Sequence, residues 1–230
     1  MSVPRVSVVL AVHDGEQFLR EAIDSVLGQD YRDLELIVID DGSTDGTGAL
    51  AKAREDVLYF RQEQGGIAAA RNRGIGLARG GLIAFMSHDD LWEPQKLRVQ
   101  VGCLDGDPGL DLVVTEMRLF LEPGCARPAG SRSEWFEREQ EGWVPETMLA
   151  RREAFGRVGL FDPSYDVGED TDWFARARDA GLRSAVVPGA LVRKRVHDRN
   201  ASVESGPKSH LILRAMKASL ERKRAKGSRN

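Results

Sequence analysis

Cysteine is almost missing from this chain: Cys103 and Cys125 are the only two in 230 residues. Their spacing fits neither a zinc knuckle nor a redox CxxC pair, so both thiols read as reduced, structural residues. Long apolar runs are missing too. No stretch approaches the roughly 18 residues of a membrane span. The opening Met1-Ser2-Val3-Pro4-Arg5 enters a strand at once, without the charged and apolar regions of a signal peptide, so a cytoplasmic location is expected. A surplus of charge is also absent. The formal net charge of -3 argues against a dedicated nucleic-acid binder, and neither an internal repeat nor a low-complexity run interrupts the chain. A domain of this length buries on the order of 70% of its unfolded surface, which makes one α/β domain plus a short extension the simplest partition.

What the chain does have is alternation. Val6-Ser7-Val8-Val9-Leu10-Ala11-Val12 is a strand, and Phe18, Leu19, Ala22, Ile23, Val26 and Leu27 recur at helical spacing within 16–27. Further strands are expected at 34–39, 57–60 and 82–86, with helices at 47–55, 67–78 and from about Pro94. Short connections between such units argue for a mostly parallel sheet flanked by helices, with right-handed crossovers. Residues 122–143 lose periodicity and read as a surface excursion. Helices at 146–158 and 169–180 and a strand at 182–187 are expected beyond it. The tail is basic, with cations at 208, 214, 217, 222, 223, 224, 226 and 229 against Glu221. Leu213, Met216 and Leu220 share a helical face, with Ile212 beside it. Such a tail can lie on anionic lipid, pack on the sheet or stay solvated.

Two apolar strands end in paired acids. In Val38-Ile39-Asp40-Asp41-Gly42-Ser43-Thr44-Asp45-Gly46-Thr47 the carboxylates fall at the carboxyl end of a buried strand, where open α/β sheets bind ligands. The same residues also suit a solvated turn in which Ser43, Thr44 or Asp45 caps the next helix and Asp40 supports the turn. Met86-Ser87-His88-Asp89-Asp90-Leu91-Trp92 repeats the arrangement. Two acid pairs on one rim repel each other unless a cation neutralises them, and hard oxygen ligands suit Mg²⁺ or Mn²⁺. Helix capping is the plainer alternative for Asp89 and Asp90.

Taken together with Ala22-Ile23-Asp24-Ser25-Val26-Leu27-Gly28-Gln29, Gly66-Ile67-Ala68-Ala69-Ala70-Arg71-Asn72-Arg73-Gly74, Gly159-Leu160-Phe161-Asp162 and Gly168-Glu169-Asp170, these segments resemble the family 2 glycosyltransferases with the GT-A fold. The order and spacing carry the resemblance over positions 5 to about 200. It implies a GT-A domain over 1–206, with a nucleotide-sugar-binding half at 1–104 and an acceptor-binding half at 105–206, followed by the tail at 207–230. It implies an inverting, metal-dependent transfer from a nucleoside diphosphate sugar, a UDP-sugar first among them, to a carbohydrate or lipid-linked hydroxyl. Ala11, Val12, His13, Asp41, Arg71 and Asp89 would hold the nucleotide; Asp89, Asp90 and His197 would meet Mn²⁺ or Mg²⁺. Asp170 would be the base, with Glu169 orienting the acceptor. Ser87 departs from the pattern, which more often has Asp there. Arg71 also reads as an exposed helix arginine, His197 as a surface histidine, and Glu169, Asp170 and Asp172 as ordinary acids of a first helical turn. A nucleotide-sugar-binding domain without turnover is the alternative. A sugar-phosphate nucleotidyltransferase would need a glycine-rich loop with a basic residue directly after the first strand, which His13-Asp14-Gly15-Glu16 does not supply.

Overall fold

The computed structural model describes residues 3–128, 131–165, 167–198, 200, 214, 217–219, 221 and 222. Strand β1 (Val6–Val12) is buried along its whole length, so both of its edges and both of its faces must be covered. Strands β2 (Leu34–Asp40), β3 (Leu58–Arg61) and β4 (Leu82–Ser87) supply the edges in the order β3-β2-β1-β4, all parallel. The crossovers α1 (Leu19–Leu27), α2 (Thr47–Lys52) and α3 (Gly66–Leu77) supply the faces. In α1, Leu19, Ala22, Ile23 and Val26 form the buried stripe that the spacing predicts. It begins after a turn at 16–18, where the Leu19 amide donates to the Gly15 carbonyl.

Helix α3 lies tight against β1. A Cβ on Gly74 would come within 2.2 Å of Val9 Cγ1. Gly74→Ala is therefore expected to lower stability by about 1–3 kcal/mol through overpacking, although alanine is otherwise the better helix former. A urea titration that shows a gain in stability would disprove this close fit.

Beyond β4 the sheet becomes mixed. After β5 (Leu91–Trp92) and α4 (Lys96–Gly106) the chain forms β6 (Leu112–Leu121), a short helix α5 (Glu134–Glu137), β7 (Gln140–Glu141), a 3-10 turn at Pro145–Thr147 and β8 (Leu149–Arg151). Helices α6 (Arg152–Val158) and α7 (Glu169–Asp179) and the long strand β9 (Ser184–Val196) follow. Strand β8 is antiparallel to both neighbours and fills the gap between β4 and β6, and β6 pairs in parallel with β9. The full order is β3-β2-β1-β4-β8-β6-β9-β5, with β7 on β6. The sheet curls so far that β5, at its far end, returns to α1: the Trp92 amide donates to Ser25 Oγ at 3.2 Å.

Two expectations need correction. Residues 146–158 are not one helix, because Leu149 and Ala150 are fully buried in the strand wedged between β4 and β6, and pairing there overrides local preference. The expected strand at 182–187 continues to Val196 through a bulge near Glu116, beside Gly189. Strand β6 and the two-residue β5 carried no expectation. The excursion at 122–143 contains α5 and β7 but is otherwise irregular, as its composition suggests.

One face of the sheet packs on α1 and α4; the other packs on α3, α6 and α7, where Phe85, Phe155, Phe161 and Trp173 form an aromatic cluster. Cys103 and Cys125 are both free thiols. No helix among the described residues is long and apolar enough to cross a membrane. The boundary at 206 and the stripe of Ile212, Leu213, Met216 and Leu220 lie outside the described residues. Of the described tail residues, Ser219 and Arg222 bond to Asp179 at 2.9 and 3.0 Å. Arg214 stacks 3.9 Å from the Tyr165 ring centroid.

Candidate active site

Parallel register brings Ala11, Val12, Asp40 and Ser87 to one level at the carboxyl edge of the sheet. Ala11 and Val12 are buried and offer backbone only; the Val12 carbonyl accepts the Asp41 amide at 2.8 Å. His13 is exposed at the rim, with Nδ1 2.9 Å from the Asp41 carbonyl oxygen. The loops after β1 and β2 are laced together. Asp14, in the left-handed region at φ 47, accepts the Thr44 amide at 2.7 Å, while Ser43 Oγ accepts the Asp14 amide at 3.0 Å. The Gly15 amide donates to Thr47 Oγ1 at 2.8 Å. Gly15 has no room for a side chain, since a Cβ would meet Val12 at 2.5 Å and His88 at 2.6 Å.

The acids of the first pair have separate tasks. Asp40 supports the turn, accepting from the Ser43 amide at 2.8 Å and the Tyr59 hydroxyl at 2.6 Å. Burial alone would raise its pKa, but these donors and Arg61 hold it below the usual carboxylate range. Asp41 accepts from the amides of Gly65 and Gly66 at 2.9 and 2.7 Å and from Gln62 at 2.7 Å. It thereby fastens the end of β2 to the start of α3.

The second pair splits. Asp89 is half-buried, and its Oδ2 lies 3.2 Å from His197 Nε2 and 3.0 Å from Asn200 Nδ2. Asp90 turns the other way. It is fully buried, with Oδ2 3.2 Å from Lys194 Nζ and Oδ1 accepting the Arg195 amide at 2.9 Å. Burial pushes its pKa up to about 7 against the pull of Lys194, with Asp89 and Glu146 adding to the rise. Lys194, facing Asp90, Glu146 and Asp89, keeps its proton in spite of burial. The two acids expected at a metal site are thus placed apart: β5 directs Asp90 inward onto β9, where it faces Lys194. Asp89 and His197 remain side by side. Among the described residues no three His, Cys, Asp or Glu side chains form a closed metal cage.

Arg71 does not take the plainer reading of an exposed helix arginine. It is neither exposed nor turned to the open rim, but buried between Glu146 and Glu169, at 2.8 and 2.5 Å. Its neighbour Asn72 exchanges two hydrogen bonds with the Phe161 backbone, at 2.8 and 3.0 Å, and so anchors the Gly159-Leu160-Phe161-Asp162 segment. Helix α7 starts from Gly168, left-handed at φ 90. Its first turn holds three acids. Glu169 is taken by Arg71 and Asp172 by Arg176 at 2.7 Å. Asp170 is half-buried; among the described residues it accepts only from Thr171, at 2.6 Å from the amide and 3.3 Å from the hydroxyl, and no cation pairs with it. Burial raises the pKa of Glu169 although Arg71 opposes it, and the charge on Asp170 adds to the rise.

Sequence reasoning missed Glu146 and Lys194. Ser87 Oγ donates to Glu146 Oε1 at 2.6 Å, so a chain of short bonds runs from Ser87 through Glu146 and Arg71 to Glu169. It joins the rim beside Asp89 to the turn that carries Asp170. Lys194 did leave a signal: it alternates with Val192 on one face of β9, and Val192 is fully buried. A hollow of about 390 Å³ beside α7, lined by Trp143, Thr171, Phe174, Leu182 and Ser184 among others, stands apart from Asp41 and Asp89.

A chain with this sheet and this rim has known relatives. The sequence model of glycosyl transferase family 2 matches residues 7–155, and the chain belongs to that family. It is 31% identical over 214 residues to an uncharacterised glycosyltransferase of Rickettsia typhi, covering 85% of this chain and 65% of that protein. It is 33% identical over 207 residues to the succinoglycan biosynthesis protein ExoO of Rhizobium meliloti, covering 82% and 60%. The chain therefore spans about two thirds or less of these relatives. Among solved structures it superposes on Staphylococcus aureus TarS 1-349 in complex with UDP-GlcNAc with a TM-score of 0.75 at 20% identity, covering 95% of this chain and 66% of that one. The mannosyltransferase PcManGT of Pyrobaculum calidifontis, in complex with GDP-Man and Mn²⁺, gives 0.66 at 24% identity, with 87% and 59% covered. The expected fold holds: a curled α/β sheet flanked by helices, similar to that of the GT-A glycosyltransferases.

Proposed function

We propose that this chain moves a sugar, with inversion, from a nucleoside diphosphate sugar to a hydroxyl on a carbohydrate or lipid-linked acceptor. The observation that carries the reading is Asp170, the acid of the first turn of α7 with no cation partner among the described residues. This carboxylate is half-open at a helix start, where the helix dipole favours an acid. It can accept the proton of an acceptor hydroxyl. The acceptor oxygen then bonds to the anomeric carbon as the bond to the diphosphate breaks on the opposite face. Glu169, tied to Arg71, would orient the acceptor from the same turn.

The donor side is the rim of residues 11–14, with Asp41, Asp89 and His197. Asp89 Oδ2 and His197 Nε2, 3.2 Å apart, suit a cation that takes its remaining ligands from water and phosphate oxygens, and imidazole favours Mn²⁺ over Mg²⁺. Such an ion would offset the charge of the departing diphosphate. Binding without turnover is the second reading, motivated by Ser87, which places a hydroxyl where an acid is commoner. The tail's destination favours the body over lipid in this reading, because Arg214 and Arg222 are turned onto Tyr165 and Asp179.

The direct test is a melting-temperature panel of UDP, GDP, CDP and dTDP, with Mn²⁺ and again with chelator. At about 100 times its Kd a ligand adds roughly 2.7 kcal/mol, which for a domain of this size is a rise of about 5–10 °C. One diphosphate is expected to give that rise with Mn²⁺ and to lose most of it with chelator. No response to any of them would defeat the donor assignment.

A further inference from the structure

Glu146 has no part in the chemistry proposed above, yet its carboxylate is held from several sides. It is 4% exposed, and its Oε1 accepts from Ser87 Oγ at 2.6 Å and from Arg71 Nη2 at 2.8 Å. Its backbone is held as firmly. Trp92 Nε1 donates to the Glu146 carbonyl at 3.1 Å and Gln100 Nε2 to the next carbonyl, of Thr147, at 2.7 Å. Pro145 heads the turn and fixes its own φ. The side chain thus projects from a rigid turn into the gap between the end of β4 and the face of α3. Burial works against its charge, but Lys194, Arg71 and the Ser87 hydroxyl outweigh it and hold the carboxyl down at about 2.

Stability alone gives no reason for such an arrangement, since a buried ion network can often be replaced by apolar residues without loss. What apolar residues could not do is commit the direction of a guanidinium. Arg71 bonds Glu146 with one terminal nitrogen and Glu169 with the other. Glu169 and Asp170 are neighbours on one turn, so a guanidinium released from Glu146 would hold that turn through its single bond to Glu169 alone. The geometry points to Glu146 as a positioning residue: by anchoring Arg71 it keeps the guanidinium on Glu169, fixes the first turn of α7 and leaves Asp170 free to work as the base. The last clause rests on the transfer reading; the anchoring itself does not.

Two kinds of measurement separate the two. In Glu146→Gln, backbone amides 170–173 are expected to exchange at least about 10-fold faster than in the wild type, while those of β1 are unchanged, because local order is lost without global unfolding. With a turned-over donor, kcat is expected to fall about 10-fold to 100-fold while the donor KM stays within about 3-fold, the mark of a misplaced reacting group. The pair Glu146→Ala with Ser87→Asp puts a carboxylate back from the other end of the same hydrogen bond, and kcat should return to within about 5-fold of wild type. Should Glu146→Gln not fold, Ser87→Ala keeps every charge and should show the same changes on a smaller scale. Unchanged exchange at 170–173 overturns the anchoring role. So does faster exchange everywhere, which would make Glu146 merely structural, or a raised donor KM at constant kcat, which would make it a donor contact. If the wild type turns over no donor, the transfer reading fails and the exchange comparison alone decides whether Glu146 orders α7.

Discussion

Asp170→Asn is expected to lower kcat on the order of 10³-fold, within the 10²–10⁴ range of a general base, while the nucleoside diphosphate binds with nearly unchanged affinity. That loss corresponds to about 4 kcal/mol of transition-state stabilisation. Asparagine has the same shape and can still accept the Thr171 amide bond that Asp170 accepts at 2.6 Å. The fold should therefore lose only the charge–dipole contribution, about 0.3–1 kcal/mol. Steady-state kinetics over a donor series, paired with calorimetric titration of the diphosphate, reads both quantities. A variant that loses nucleotide affinity would move Asp170 to the donor side of the cleft. One that keeps its kcat would hand the base role to another group.

Arg71→Met is expected to cost about 3–5 kcal/mol of stability, because it leaves two buried carboxylates facing each other without their cation. Glu146 and Glu169 are both nearly inaccessible, and the guanidinium lies 2.8 and 2.5 Å from them. Adding Glu146→Gln and Glu169→Gln to Arg71→Met should recover most of that loss, since no unpaired charge then remains buried. Urea denaturation of the wild type, the single and the triple variant measures this directly. A loss below about 1 kcal/mol, accompanied by weak nucleotide binding, would restore Arg71 to the phosphate-contacting role that its sequence segment suggests.

The legible parts of this protein are those whose neighbours are close in the chain or uniform in character. Strands β1, β2 and β4 are apolar on both faces and α1 carries its stripe at regular spacing, so the parallel half reads from residue types alone. Strand β8 was not legible. Three residues are too few to show a period, and it is the gap between β4 and β6 that makes Leu149–Arg151 a strand. The site divides the same way. The acids at the ends of β2 and β4, and Asp170 at the head of α7, stand out as chemistry at element ends. The opposite fates of Asp89 and Asp90 do not, because two identical neighbours are told apart only by which one meets Lys194, 104 positions away from Asp90. Glu146 likewise takes its meaning from Ser87 and Arg71, 59 and 75 positions earlier.

The antiparallel wedge of β8 has a consequence for the order in which this molecule is made. Until residue 151 has left the ribosome, β4 has a bare edge along Leu82, Ile83 and Ala84, and β6 has nothing to join it to the parallel half. Nascent chains that stop between these points expose an apolar, unpaired strand, the kind of edge that recruits other chains. The first four parallel strands are thus a waiting platform, closed by three late residues. The turn that carries Glu146 lies directly ahead of β8, so the same stretch of chain supplies both the residues that close the sheet and the carboxylate of the Ser87–Glu146–Arg71 link.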